Sequence, residues 1–160
     1  MLEIRVANKN DAGTILGFIK ELADFERLSH EVVTDESTLV NNLFGPQSNA
    51  YVLVAEIQGQ AVAFAHYFFN FSTFLGRQGL YLEDLYVQPE SRGHGIGLAL
   101  LSRLAVIAKE RNCGRMEWGV LDWNQKAIDF YLKMGAKPMG EWTTYRLTAP
   151  EIDALAKRSH

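Results

Sequence analysis

Apolar and polar positions follow two different periods in the first part of the chain. Residues 2–6 alternate between apolar and polar side chains, which predicts a strand. The apolar positions that follow, up to about Leu28, recur every three or four residues. This spacing predicts an amphipathic helix that is capped at its start by Asn10 or Asp11.

From residue 34 onward, one more helical segment is followed mainly by strand-like patterns. The helix is predicted between Thr34, a capping residue, and the Gly45-Pro46 pair, which ends it. Residues 50–74 predict two strands around a tight turn at Gln58-Gly59-Gln60. The other predicted elements are a strand over 79–89, a helix over about 95–111, a strand over 114–121, a helix over 124–135 and a final strand over 141–147.

The predicted order, β-α-α-β-β-β-α-β-α-β, places an antiparallel meander of strands in the middle of the chain. No repeat, low-complexity segment or linker interrupts the order. We therefore predict a single α/β (α+β) domain over residues 1–148. Residues 149–160 are predicted to form a short polar tail.

Composition narrows the class of protein. The 160 residues are 48% hydrophobic and 22% charged, which is typical of a globular domain with a sizeable core. A net charge of -3 argues against a nucleic-acid binder. The single cysteine, Cys113, excludes an internal disulfide and fits a reducing compartment. Neither a signal-peptide pattern nor an apolar run near the ~20 residues of a membrane helix is visible, so a cytoplasmic protein is expected.

A glycine-rich turn, Arg92-Gly93-His94-Gly95-Ile96-Gly97, joins a predicted strand to a predicted helix. Glycines expose backbone N–H donors, and a helix N-terminus favours negative charge, so this turn can hold an anion. The turn lacks the Gly-Lys-Ser/Thr ending of an NTPase loop and comes too late for a dinucleotide fingerprint. A glycine-rich corner without a ligand remains the alternative.

Two consecutive carboxylates, Glu83 and Asp84, lie on the strand before this turn. Successive strand residues point to opposite faces, so we expect one carboxylate in a cleft and the other elsewhere. Asp84 is expected to anchor backbone or a neighbouring side chain.

Two motifs together resemble those of the GNAT N-acetyltransferases. Arg92-x-x-Gly95-x-Gly97 is similar to the acetyl-CoA signature, and Trp123–Ala136 is similar to the later Asn-x-x-Ala-x-x-Phe-Tyr-x-x-x-Gly-Ala segment. The stretches IKELADFE, LYLEDLYV, RGHGIG, DWNQKAIDFY and GEW resemble the spermidine/spermine (diamine) acetyltransferase branch. The likeness extends to about Leu147. It implies a GNAT fold with a mixed, mostly antiparallel sheet, flanked by helices and splayed at a cofactor cleft.

The resemblance also implies how acetyl-CoA would be held, without a metal. The pantetheine arm would pair with backbone groups of Leu85, Tyr86 and Val87, and the Leu85 N–H would polarise the reacting carbonyl. The pyrophosphate would bind amides of Arg92, Gly93, His94, Gly95, Ile96, Gly97 and Leu98. Asn124 would lie near the cofactor, cap a helix, or do both. Tyr131 would protonate the departing thiolate, and core packing is its alternative role.

For the acceptor, the resemblance implies a primary amine of a small molecule. Such an amine is protonated at pH 7, and Glu83 would relay its proton before it attacks in a ternary complex. The other substrate-binding residues implied are Phe25, Glu26, Glu117, Trp118, Gly119 and Glu141.

Two departures from the branch leave the amine open. Phe25 replaces a tyrosine and Asp122 replaces a glutamate, so a polyamine, a diamine and a thialysine-like amino acid all remain candidates. A homodimer is implied, without nucleic-acid or membrane partners. The alternative functions are a protein or peptide N-acetyltransferase and a non-catalytic acyl-CoA-binding module.

Overall fold

The computed structural model describes residues 1–159. Five strands form one sheet in the order β1-β2-β3-β4-β5, which is also their order along the chain. Neighbours from β1 to β4 pair antiparallel, and β5 runs parallel to β4. The strands are β1 (Leu2–Val6), β2 (Tyr51–Ile57), β3 (Gln60–Ser72), β4 (Arg77–Val87) and β5 (Met116–Trp118). The predicted mixed, mostly antiparallel sheet is therefore confirmed.

Five α-helices accompany the sheet within the described chain. They are α1 (Ala12–Phe25), α2 (Glu36–Leu43), α3 (Ile96–Glu110), α4 (Gln125–Lys133) and α5 (Ala149–Ala156). Short 3₁₀ turns cover Lys9–Asp11, Ser29–Glu31 and Pro89–Ser91. The first nine predicted elements all occur, in the predicted order.

Helix ends account for small differences from prediction. Asp35, rather than Thr34, caps α2, because its Oδ1 accepts a hydrogen bond from the Thr38 N–H at 2.7 Å. Helix α1 stops at Phe25 because Arg27 adopts the left-handed region, with φ of 62°. The Leu28 N–H then bonds the Ala23 carbonyl at 2.7 Å and closes the helix.

The prediction of a final strand over residues 141–147 is wrong, since the structure has no regular element there. An alternating pattern forms a strand only where another strand pairs with it. Beyond this stretch, α5 begins at a local signal. Thr148 Oγ1 donates to Glu151 at 2.6 Å, and Pro150 lies in the first turn.

The described chain consists of two compact units, Met1–Leu121 and the residues from Asp122 onward. In the first unit, α1 packs on one face of the sheet, where the Phe18 and Phe64 rings stack at 5.8 Å and Tyr86 joins them. Helix α3 contacts β2, β3 and β4 and buries Leu100 and Leu104 completely. Over residues 1–159, no helix combines the length and apolar character that crossing a membrane requires.

Candidate active site

Strand β4 continues past the end of β5 and is paired there only with β3. Their pairing covers only Leu80–Leu82 of β4, whereas β4 continues to Val87. The Gln88 N–H donates to Val62 of β3 at 2.9 Å. Because backbone groups alternate sides along a strand, the N–H and C=O groups of Leu85 and Val87 point away from β3. The sheet therefore splays here with an open edge, as predicted.

Tyr86 differs from its two neighbours. Its backbone groups turn toward β3, where it lies opposite Phe64 in the register, and its ring belongs to the core beneath α1. Its ring also supports the guanidinium of Arg92, which lies 5.5 Å from the ring centroid.

Arg92 connects three parts of the first unit. Its Nε donates to the Val87 carbonyl at 2.8 Å, which fixes the start of the glycine-rich loop to the end of β4. Its guanidinium also lies 5.4 Å from the Phe25 ring at the end of α1. Phe25, expected beside the substrate, therefore packs on the residue that begins the loop.

The loop presents backbone donors to solvent. Gly93 and Gly95 have φ of 82° and 76°, a region that favours glycine, and a Cβ at either position would meet nothing within 4 Å. The first bond of α3 runs from Ala99 N–H to the Gly95 carbonyl, and no side chain caps the helix. The N–H groups of residues 96–98 thus lack intrahelical acceptors and are suited to an anion.

His94 remains a loop residue. It is exposed, and its Nδ1 lies 3.3 Å from the Ser91 carbonyl, so its side chain contacts the preceding turn. Only its backbone is available to the anion-binding concavity.

A β-bulge at Glu83 overturns the expectation that Glu83 and Asp84 point to opposite faces. Leu82 pairs with Tyr67 and Asp84 with His66, so Glu83 is an extra residue. Strict alternation would put residues 81 and 86 on opposite faces. They instead lie opposite Phe68 and Phe64, which share one face of β3.

The bulge turns both carboxylates to the α1 face. Glu83 is two residues from Tyr81, and Asp84 is two residues from Tyr86, on either side of the bulge. Glu83 is exposed, and Asp84 is half-buried with its Oδ2 3.4 Å from His66 Nδ1. The alternation rule did not predict that Glu83 and Asp84 share a face. Two consecutive acidic residues within an alternating apolar strand were nevertheless a sign of an irregularity.

Two more carboxylates join this face, which we call the acidic face (Glu26, Glu83, Asp84, Glu117). Burial raises the pKa of the Glu26 carboxyl at the end of α1, and the charge of Asp84 raises it further. Burial also raises the pKa of the Tyr81 hydroxyl, and the negative charges of Glu83 and Glu117 raise it further. Glu26, Glu83 and Glu117 were predicted from the sequence as substrate-binding residues. Asp84 was predicted to anchor backbone or a neighbouring side chain.

Strand β5 supplies the far end of the acidic face. Glu117 lies opposite Tyr81 and forms an ion pair with Arg115, Nε to Oε1, at 3.0 Å. Trp118 lies opposite Leu82 and therefore on the other face of the sheet. Gly119 follows the strand and is exposed, and a Cβ there would lie 3.9 Å from the Tyr81 hydroxyl.

The second unit holds the other predicted residues. Asn124 caps α4, and its Oδ1 accepts from the Ala127 N–H at 3.3 Å. Tyr131 is seven residues further, almost two turns, so the two share a side of α4. The Tyr131 and Phe130 rings are 5.7 Å apart. Glu141 is exposed in the stretch without regular structure.

Comparison with known proteins decides the family. The model of the Acetyltransferase (GNAT) family matches residues 9–136. The chain belongs to the GNAT family. A mouse (Mus musculus) thialysine N-epsilon-acetyltransferase is 39% identical over 166 residues, 97% of each chain. A human (Homo sapiens) spermidine/spermine N(1)-acetyltransferase-like protein 1 is 34% identical over 164 residues, 96% of this chain and 24% of that protein.

One solved structure matches nearly the whole chain. The integron cassette protein VCH_CASS6 from the mobile metagenome of V. cholerae superposes with a TM-score of 0.82 at 30% identity, covering 98% of both chains. The predicted GNAT fold, acetyltransferase class and diamine acetyltransferase-like branch are confirmed.

The raised pKa of Glu26 predicts a pH-dependent effect of Glu26→Gln on stability. A carboxyl with a higher pKa in the folded chain binds its proton more tightly there, so it destabilises the fold as pH rises above about 4.5. Glu26→Gln is expected to raise Tm slightly at pH 7 and to reduce the fall in Tm between pH 4.5 and pH 7. Thermal unfolding monitored by circular dichroism measures both. Asp153→Asn, at an exposed carboxylate of α5, should change neither. A lower Tm for Glu26→Gln at pH 7 would contradict the prediction.

Proposed function

We propose that this GNAT enzyme transfers an acetyl group from acetyl-CoA to a primary amine of a small molecule, by direct attack in a ternary complex. One observation carries the proposal. The bulge at Glu83 lies directly before the open edge of β4, so the acidic face adjoins the edge that leads into the loop. This arrangement supports a site for a cationic acceptor beside a site for an anionic donor.

The donor side fits a coenzyme with a diphosphate. Backbone groups of Leu85 and Val87 would accept and donate along the pantetheine arm, on the edge that β5 leaves open. The amides of residues 93–98 would hold the diphosphate, and the positive end of α3 adds favourable charge. Arg92 contributes a full charge, while the Tyr86 ring holds its guanidinium in place.

The acceptor side fits an ammonium group. The acidic face would attract the protonated amine electrostatically. Glu83 is exposed at the bulge and is the carboxylate we propose to take the amine's proton, through water. Phe25 and Gly119 are proposed to bound the acceptor site, and Glu141 is proposed as a further substrate-binding residue.

The proposed reaction is balanced. The neutral amine nitrogen attacks the thioester carbonyl carbon, and the Leu85 N–H donates to the oxygen as negative charge develops. A carbon–nitrogen bond forms and the carbon–sulfur bond breaks. The thiolate takes the hydroxyl proton of Tyr131, and the second proton that the nitrogen releases as the amide forms restores the Tyr131 hydroxyl through water. Asn124 fixes the first turn of the helix that carries Tyr131.

Replacing Tyr131 with phenylalanine is expected to lower kcat about 100-fold, because a positioned general acid typically contributes 10²–10⁴-fold. The KM for acetyl-CoA should change little, since the ring is retained. Steady-state thiol-release kinetics measure both constants. Phe130→Leu, which removes the neighbouring ring but no hydroxyl, is the matched control. A kcat for Tyr131→Phe within threefold of wild type would remove the acid role.

We propose thialysine-like amino acids, diamines and polyamines as the acceptors, because the relatives carry thialysine and spermidine/spermine in their names. We further propose a homodimer and a single catalytic domain over residues 1–148. A cytoplasmic location is supported by the lone, half-buried thiol of Cys113.

Calorimetry with coenzyme A, followed by a thiol-release assay on an acceptor panel, tests the function. The panel contains thialysine, spermidine, a short diamine, and peptides with a free N-terminus or a lysine. Heat of coenzyme A binding and turnover of a small amine are expected. Turnover of peptides alone would favour a protein acetyltransferase, and binding without any turnover would favour a non-catalytic module. No binding to folded protein would remove the proposal.

A further inference from the structure

Among residues 1–159, His66 is the histidine that lies next to the acidic face. It lies on β3 directly opposite Asp84, immediately beside the bulge. Its Nδ1 is 3.4 Å from Asp84 Oδ2, and 23% of the His66 side chain and 31% of the Asp84 side chain are exposed. Its other nitrogen, Nε2, is buried and has no hydrogen-bond partner among the described residues. Only one of the two ring nitrogens of His66 therefore has a hydrogen-bond partner among the described residues.

The contact fixes the tautomer. A carboxylate accepts and does not donate, so the proton must lie on Nδ1 and point to Asp84. Nε2 then carries a lone pair. The tautomer with its proton on Nδ1 donates to Asp84 and leaves no buried N–H without an acceptor on Nε2.

Asp84 needs such a donor. Its charge faces Glu26, whose pKa it raises, so two carboxylates repel one another on the acidic face. One oxygen held by His66 leaves the other oxygen to accept from a cation.

We propose that His66 is a positioning residue for the acceptor amine: its Nδ1–H holds Asp84 so that this carboxylate, beside Glu26, binds the ammonium group. This inference rests on the proposed function and adds two residues that the sequence motifs did not assign to the amine. His66 touches neither reactant, since its free nitrogen is buried. It acts through Asp84.

His66→Leu is the decisive variant, because it separates positioning from folding. Leucine fills the space without a buried unpaired nitrogen, so Tm should be unchanged or higher. The KM for the amine should rise roughly tenfold, as expected for losing a hydrogen bond to a charged group. The kcat and the KM for acetyl-CoA should stay within twofold. His66→Asn, whose amide N–H can replace Nδ1–H, should recover most of the loss.

Two further variants complete the test: Asp84→Asn, and His30→Leu as a control at another histidine. If His66 acts only through Asp84, the double variant His66→Leu/Asp84→Asn should have the amine KM of Asp84→Asn alone. His30, 3.6 Å from Glu31 on the surface, provides the control, and His30→Leu should change no kinetic constant. Multiplying effects in the double variant, or an unchanged amine KM in His66→Leu, would overturn the inference.

The failure of this inference is distinguishable from failure of the proposed function. Wild-type turnover with small amines is measured first, and its absence would overturn both. Normal wild-type turnover with a wild-type amine KM in His66→Leu would overturn the positioning role alone. A parallel rise in the KM for acetyl-CoA would also overturn it, because that result indicates a general distortion of β3 and β4.

Discussion

Glu83→Gln is expected to lower kcat by about 10²–10⁴-fold, the contribution of a positioned general base. The acceptor amine carries a proton at neutral pH that must leave before nitrogen attacks carbon. Glutamine keeps the size and polarity of the side chain but cannot accept that proton. The bulge makes Glu83 the exposed carboxylate of the acidic face. Coenzyme A binding should be unchanged in calorimetry.

Acceptor amines of different basicity test whether Glu83 acts as a general base. An amine that is already neutral at the assay pH needs no base, so Glu83→Gln should slow its acetylation much less. Glu110→Gln changes an exposed carboxylate at the opposite end of α3, about 20 Å along the helix from the loop, and should have no effect. Equal losses for basic and weakly basic amines would show that Glu83 only shapes or charges the site.

The sequence predicted what depends on local chemistry. The glycine spacing in residues 92–97 predicted a loop with open backbone donors, and the structure has two left-handed glycines there. Asn124 was predicted as a cap and its side chain does accept from the first turn of α4. Each feature is determined by residues a few positions apart, so a single segment carries the whole signal.

Features that depend on pairing between strands were harder to predict. The acidic face exists because β4 has one residue more than β3 at Glu83, and this register is a property of both strands. The wrong strand over residues 141–147 has the same origin, since alternation does not reveal whether a pairing edge is available. In contrast, the missed helix α5 had a local signal in Thr148, Pro150 and Glu151.

Gly95→Ala is expected to weaken coenzyme A binding about 10- to 100-fold, the effect of losing hydrogen bonds to a charged group. Gly95 holds φ of 76° at the N-terminus of α3, where a Cβ would enter open space. The methyl group would strain this backbone and also occupy the space proposed for the diphosphate. Calorimetry measures the affinity directly.

A second glycine with the same conformation distinguishes the effect of backbone strain from the loss of the anion site. Gly59, in the turn between β2 and β3, has φ of 77°, and a Cβ there also meets nothing within 4 Å. Alanine at either position should therefore cost about 1–2 kcal/mol of stability. Only Gly95→Ala should also lose coenzyme A, because only Gly95 precedes unpaired helical amides. If Gly95→Ala bound coenzyme A like wild type while losing as much stability as Gly59→Ala, the diphosphate would have to bind elsewhere, and Gly95 would serve only to begin α3.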